Sequence, residues 1–207
     1  MKKILSVLVA LILTAVVSAQ AQSTQYGAEL RGSLNTWMPA YNLYDYAYGV
    51  EVEYRNWFWD PVGFALSLGV SSWEAKGGSS GVDSTELKNL GGQLTAIPVG
   101  PSIIYKIADV TDWNLTTEAG VRYVFAQSAV NYRRTATDES GTLDIEGSVI
   151  AVLGLDYERY FGVGKSFFVG AGYQIDLEKG SIQVSNMGNR DNQLESFFAR
   201  VGTKIQF

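Results

Sequence analysis

Seven stretches of this chain change polarity at every second residue, and that period of two constrains the fold more than any other feature. In Tyr26–Asn35, Tyr26, Ala28, Leu30, Gly32 and Leu34 share one face, and Gly27, Glu29, Arg31, Ser33 and Asn35 share the other. Tyr48, Val50, Val52 and Tyr54 oppose Gly49, Glu51, Glu53 and Arg55 in the same way. Further runs cover Phe64–Ser71, Leu115–Tyr123, Val149–Tyr157, Phe167–Asp176 and Ser196–Phe207. Such alternation is the signature of a β-strand with one apolar face. An eighth stretch, Gln93–Ile107, keeps Ile97, Val99, Ile103, Tyr105 and Ile107 on one parity although Pro98 and Pro101 lie inside it. Proline cannot donate to a sheet ladder, so a bulge or irregular start is expected there.

Between the strands, short links (Asn56–Gly63, Ala108–Asp112, Phe161–Ser166) take turns with long polar ones (Met38–Asp45, Glu74–Gly92, Gln127–Asp144, Glu178–Leu194). Strict alternation of short and long connections is the asymmetry of an outer-membrane barrel, with tight periplasmic turns and longer extracellular loops. The fold expected is all-β: an eight-stranded antiparallel up-and-down transmembrane β-barrel over residues 22–207.

Residues 1–21 read as a secretory signal peptide. Lys2 and Lys3 precede an apolar run from Ile4 to Val17, and Ala19-Gln20-Ala21 offers small residues at a cut before Gln22. The run is shorter than the ~20 apolar residues a spanning helix needs. Removing it takes two lysines and no acid, which moves the formal charge from −5 to −7. An acidic chain without basic clusters is not expected to bind nucleic acid. No cysteine is present, so a closed hydrogen-bonded sheet or an ordinary core must replace disulfides. After Gln22 no apolar run is long enough for a transmembrane helix, so any insertion must use strands.

A soluble ligand-binding barrel has the same period with its apolar residues inside. Three features favour the membrane. Aromatics gather at strand ends, with Trp57, Phe58, Trp59, Trp113, Tyr160, Phe161 and Phe167 beside short turns and Trp37, Tyr41, Tyr44, Tyr46, Trp73 and Phe125 beside long loops, as paired girdles do. The polar face mixes small residues with charges of both signs, which suits a narrow lumen better than a water-facing surface. A one-residue slip would turn several charges into lipid, at ~2–4 kcal/mol for each Arg or Lys at the midplane.

The lumen charges expected to pair are Glu29, Arg31, Glu51, Glu53, Arg55, Glu118, Arg122, Asp156, Asp176 and Arg200. Arg31, Arg55, Arg122 and Arg200 neutralise carboxylate pairs such as Glu51 with Glu53 or Asp156 with Glu158, because buried charges are normally paired.

The ending Phe197-Phe198-Ala199-Arg200-Val201-Gly202-Thr203-Lys204-Ile205-Gln206-Phe207 resembles the assembly signal of outer-membrane barrels, with Phe197, Val201, Ile205 and Phe207 as its apolar positions and Thr203 a slight departure. Over residues 22–207 the chain is similar to the small eight-stranded outer-membrane barrels that include the OmpA transmembrane domain, the OmpX and Ail group and the opacity proteins. That resemblance implies a place in the cell outer membrane, contact with its lipid, and delivery by the barrel-assembly machinery through the C-terminal strand. It further implies a role in adhesion, host interaction, envelope integrity or narrow conduction. Unlike OmpA, the chain stops at the barrel, so no peptidoglycan-binding domain is expected.

Without histidine or cysteine, the usual Ser-His-Asp and Cys-His sites and imidazole- or thiolate-bound zinc have no residues to form them, and no enzyme, cofactor or metal is expected. The glycines of Gly77–Gly81 and Gly162–Gly164 open no helix and read as turn glycines. Asn186–Asn192, with Asp191, lacks calcium-loop spacing and reads as a flexible polar tip. The function expected is that of a monomeric surface-interaction or envelope protein with a side-chain-filled lumen, reaching any extracellular ligand through its loops. The alternative is a narrow porin-like channel, with Gly120, Gly154, Gly170, Gly172 and Gly202 leaving space.

Overall fold

The computed structural model describes residues 27–40, 43–76, 87–134, 140–184 and 188–207. The predicted signal peptide, Tyr41, Gly77–Gly81 and Asn186 lie outside them. Eight long strands form the wall: β1 Ala28–Pro39, β2 Tyr44–Trp59, β3 Val62–Ala75, β5 Gln93–Val110, β6 Trp113–Ser128, β10 Ser148–Gly162, β11 Lys165–Glu178 and β14 Ser196–Gln206. They pair antiparallel in the closed order β1-β14-β11-β10-β6-β5-β3-β2, so the first and last strands seal the ring and leave no free edge in the wall.

Within the wall the alternation holds. Arg31, Asn35, Glu51, Glu53, Glu118 and Asp156 are buried inside, while Leu34, Val50, Ile103, Leu153 and Val169 are exposed outside. Between the two rims, the outward rows of all eight strands carry no charged residue. The short turns are two residues each, at 60–61, 111–112 and 163–164, and the start of β1 and the end of β14 lie with them. At the last turn Gly164 adopts a φ of 64°, and its carbonyl accepts the Gln206 N–H at 2.7 Å, which ties the hairpin to the closing strand.

Pro98 and Pro101 do not shift the register of β5. Leu68 pairs with Val99 and Ser71 with Ala96 in one unbroken alignment, and the β5–β6 irregularity lies instead at Lys106/Ala108. The prolines remove ladder donors without adding a residue to the strand, so side-chain parity survives.

Two further expectations are corrected. Among the described residues the long links contain six more short strands: β4 Leu87–Gly91, β7 Asn131–Arg134, β8 Ser140–Thr142, β9 Asp144–Ile145, β12 Gly180–Val184 and β13 Gly188–Asn192. They form two three-stranded sheets, β4-β7-β8 and β13-β12-β9, beyond the extracellular rim. The segment expected to be a flexible tip is therefore partly strand β13, and its Asn192 is fully buried. The aromatic girdle is also smaller than expected. Phe58, Trp59, Phe161 and Phe167 face outward at one rim and Tyr46 and Phe125 at the other, but Trp37, Tyr44, Trp57 and Trp73 are buried inside. Trp37, Trp57 and Trp73 share parity with Asn35, Arg55 and Ser71, and that parity decides their side.

Leu153, 51% exposed at mid-strand, tests which solvent the wall faces. Leu153→Arg should destabilise the protein in phospholipid vesicles by ~2–4 kcal/mol, measured by urea titration of folding. A water-facing wall would change by less than about 0.5 kcal/mol.

Candidate functional site

The inward rows meet in a lumen filled in two layers. In the periplasmic half the layer is ionic. Asp156 on β10 accepts Arg200 Nε at 2.7 Å, Arg200 Nη2 and Arg31 Nη1 at 2.8 Å each, and Arg55 Nη2 at 3.1 Å. Glu118 accepts Arg200 Nη2 at 2.8 Å, Arg122 Nη2 at 3.0 Å and Ser102 Oγ at 2.7 Å. Glu51 takes both terminal nitrogens of Arg122, and Glu53 accepts Arg55 Nε at 2.5 Å and lies 3.4 Å from Arg31 Nη1. Four guanidiniums thus meet four carboxylates, all at least nine-tenths buried. The arrangement needs arginine, since its rigid fork reaches two acceptors at once where an ammonium is a point charge. Arg31 also lies 3.5 Å from the centre of the Phe168 ring.

Two of the predicted residues sit elsewhere. Glu29 lies nearer the periplasmic floor, where Lys204 bridges it at 3.1 Å to Glu158, and Ser166 Oγ donates to Glu158 at 2.6 Å. The predicted set omits Lys204, and Glu158, expected to be neutralised by the arginines, pairs with this lysine instead; both stand on inward parity. Asp176 takes no part in this network. It is half-buried at the extracellular end and accepts the backbone N–H groups of Leu194 and Glu195 at 3.0 and 3.2 Å, which fastens the start of β14 to β11.

Glycines on the inward rows let this network cross strands. Asp156, Gly170 and Arg200 are successive register partners across β10, β11 and β14. A Cβ at Gly170 would lie 2.0 Å from Asp156 Oδ1, so only a missing side chain lets the carboxylate pass over β11 to the arginine. Cβ atoms at Gly172 and Gly202 would come within 2.4 Å of Phe198 Cζ and 2.6 Å of Phe168 Cζ. The space these glycines leave is already occupied.

The second layer, toward the loops, is apolar. Trp37 and Trp73 pack with ring centres 5.9 Å apart, and Tyr44 meets Trp73 edge-on at 5.6 Å. Leu43, Leu143, Ile145, Ile182 and Leu194, from the extracellular links and sheets, join the same cluster as Val124 and Ile150 of the wall. Each polar tip is satisfied: Trp37 Nε1 donates to Gln174 at 3.1 Å, Trp73 Nε1 to Ser71 at 3.0 Å and Tyr44 Oη to Asn192 at 2.9 Å. A void of about 10 Å³ lies where the two layers meet, beside Arg122, Ser71 and Gln174, which is room for about one water. Phe197, Val201 and Ile205 lie on the outward row of β14 and Phe207 just beyond its end, 43–60% exposed. Among the described residues no group of three or more carboxylates is disposed to hold a metal ion.

Removing one partner of a buried pair strands the rest. Asp156→Asn and Arg200→Gln should each destabilise by about 3–5 kcal/mol, and the double variant by clearly less than their sum, in urea unfolding in detergent. Gly170→Ala, a single added methyl, should cost about 1–3 kcal/mol in the same measurement.

No protein-family model matches the chain, and no curated protein matches it in sequence. Solved structures do. The outer membrane protein OprG from Pseudomonas aeruginosa superposes with a TM-score of 0.63 at 14% identity, covering 88% of this chain and 96% of that one. Neisserial surface protein A gives 0.57 at 12% identity, covering 87% and 97%. A major outer membrane protein from Thermus thermophilus gives 0.56 at 12% identity, covering 87% and 99%. With the closed ring, the charge-free outer wall and these three likenesses, the chain has the fold of the small eight-stranded outer-membrane β-barrels.

Proposed function

We propose that this protein is a non-catalytic, monomeric barrel of the cell outer membrane that acts through its extracellular surface, in surface interaction, adhesion or envelope integrity, and does not pass solutes. The observation that carries this reading is the doubly sealed lumen. Ions would have to displace the arginine–carboxylate layer, and the apolar layer above it is continuous with the β9, β12 and β13 region. The alternative, a narrow channel, relies on space at the lumen glycines, and the Phe168, Phe198, Asp156 and Ser102 side chains lie in that space.

In this reading residues 1–21 direct export. The outward row of Phe197, Val201, Ile205 and Phe207 presents the closing strand to the barrel-assembly machinery before lipid covers it. The surface offered to a partner is then the pair of small sheets at the extracellular rim, built on a rigid base. Loops fixed by a packed interior suit recognition, because little ordering entropy is lost on binding.

Planar-bilayer recording tests the sealed lumen. The wild-type protein should give no stable conductance, and Trp37→Ala with Trp73→Ala should stay at background because the ionic layer remains. Large, stable openings in the wild type would overturn the reading.

A further inference from the structure

The outward rows carry no charge between the rims, so cations on the outer wall at the periplasmic rim stand out. Arg159 and Lys165 are such a pair, both exposed on the outward face of the β10–β11 hairpin. Arg159 is the register partner of Phe167 on one side and of Trp113 on the other, and Lys165 lies two residues before Phe167 on the same face. Diagonal positions of this kind are about 7–8 Å apart, within joint reach of one small anion for two long side chains. Around them the rings are set in place: Phe161 and Phe167 stack with centres 6.5 Å apart, and Trp113 and Tyr157 lie 5.8 Å apart.

Neither cation forms an ion pair among the described residues. The other turns of this rim have the opposite character. Lys106 is already shared between Asp60 at 3.6 Å and Asp109 at 3.1 Å, and it lies 4.7 Å from the Trp57 ring. Asp112, whose backbone carbonyl accepts the Tyr160 N–H at 3.0 Å, pairs with neither Arg159 nor Lys165. One sector of the rim therefore presents two unspent positive charges at the depth of an aromatic belt, where headgroups lie.

We propose that the β10–β11 hairpin binds the phosphate of an anionic phospholipid of the inner leaflet, held by Arg159 and Lys165 and framed by Trp113 and Phe167. The guanidinium fork donates to the two free oxygens of the phosphodiester, and the ammonium supplies a second point charge. The acyl chains run along Leu155 and Val169, which are outward and exposed. The site rests on the outer-membrane reading, since it needs a bilayer at this height. It adds a lipid preference confined to one side of the barrel.

The test uses the two tryptophans of the periplasmic rim that are not buried in the lumen. The full chain is folded into vesicles of phosphatidylcholine with brominated acyl chains, which quench nearby tryptophan, and unbrominated phosphatidylglycerol is titrated in. In a Trp59→Phe background Trp113 reports the site; in a Trp113→Phe background Trp59 reports the far side. Phosphatidylglycerol should displace the brominated lipid from Trp113 with a preference of roughly fivefold per cation over phosphatidylcholine. Arg159→Gln with Lys165→Gln should bring that preference to unity, and Trp59, read in the Trp113→Phe background, should show none with or without the double substitution. Quenching of Trp59 by brominated chains reports insertion by itself, so a failure of the membrane reading would be seen separately. Equal association of both lipids at Trp113, a preference that survives the double substitution, or its abolition by millimolar glycerol phosphate would each overturn the proposal.

Discussion

Everything in this structure follows from the pairing of β1 with β14. A strand edge in hydrocarbon leaves backbone donors and acceptors with nothing to bond to, at several kcal/mol each, so a sheet in a membrane must close. Closure through Glu29–Gln206 to Pro39–Ser196 uses nearly the whole length of both strands. Once the ring is closed, parity has only two meanings, lipid or lumen. Each inward residue must then share a space about as wide as two side chains.

That confinement explains why the interior is ionic where it is. Ion pairs between adjacent strands would add little to a wall already held by backbone bonds. The pairs found here mostly run across the lumen. Arg55 on β2 and Asp156 on β10 stand on opposite sides of the eight-strand ring, and Arg200 on β14 reaches Glu118 on β6. These contacts are struts that set the width of the barrel. Their interlocking is also the source of their fragility, because each arginine serves more than one carboxylate and its loss leaves several buried charges uncompensated.

Most of the wall is legible in the sequence because alternation records it directly, residue by residue. Even β5 keeps its parity through two prolines. Errors arise where a compositional argument is set above parity. Composition sends Trp37, Trp57 and Trp73 to the girdles because they are tryptophans near strand ends, yet each lies an even number of residues from an inward polar neighbour. Lys204 is legible by the same rule although the predicted network omits it, and Asp176 does not belong there because its strand position lies beyond the arginines. The extracellular sheets are not legible at all. β8 spans Ser140–Thr142 and β9 Asp144–Ile145, lengths too short to show any period, and their pairing depends on partners far away in the chain.

The two lumen layers differ in what they connect, and that difference bears on how the protein can use its surface. The ionic layer links wall to wall and stops there. The apolar layer links wall to loops: Leu143, Ile145, Ile182 and Leu194 enter it from outside the barrel strands, and Tyr44 and Asn192 join β2 to β13 by a hydrogen bond. Pulling either extracellular hairpin away would therefore expose tryptophan and leucine to water and uncap the lumen. At roughly 25 cal/mol per Å² of apolar surface, such opening costs several kcal/mol even for a few side chains. The extracellular platform is consequently part of the barrel's core, held by the same water exclusion that packs the upper lumen, and a partner meeting it would find a surface already fixed in shape.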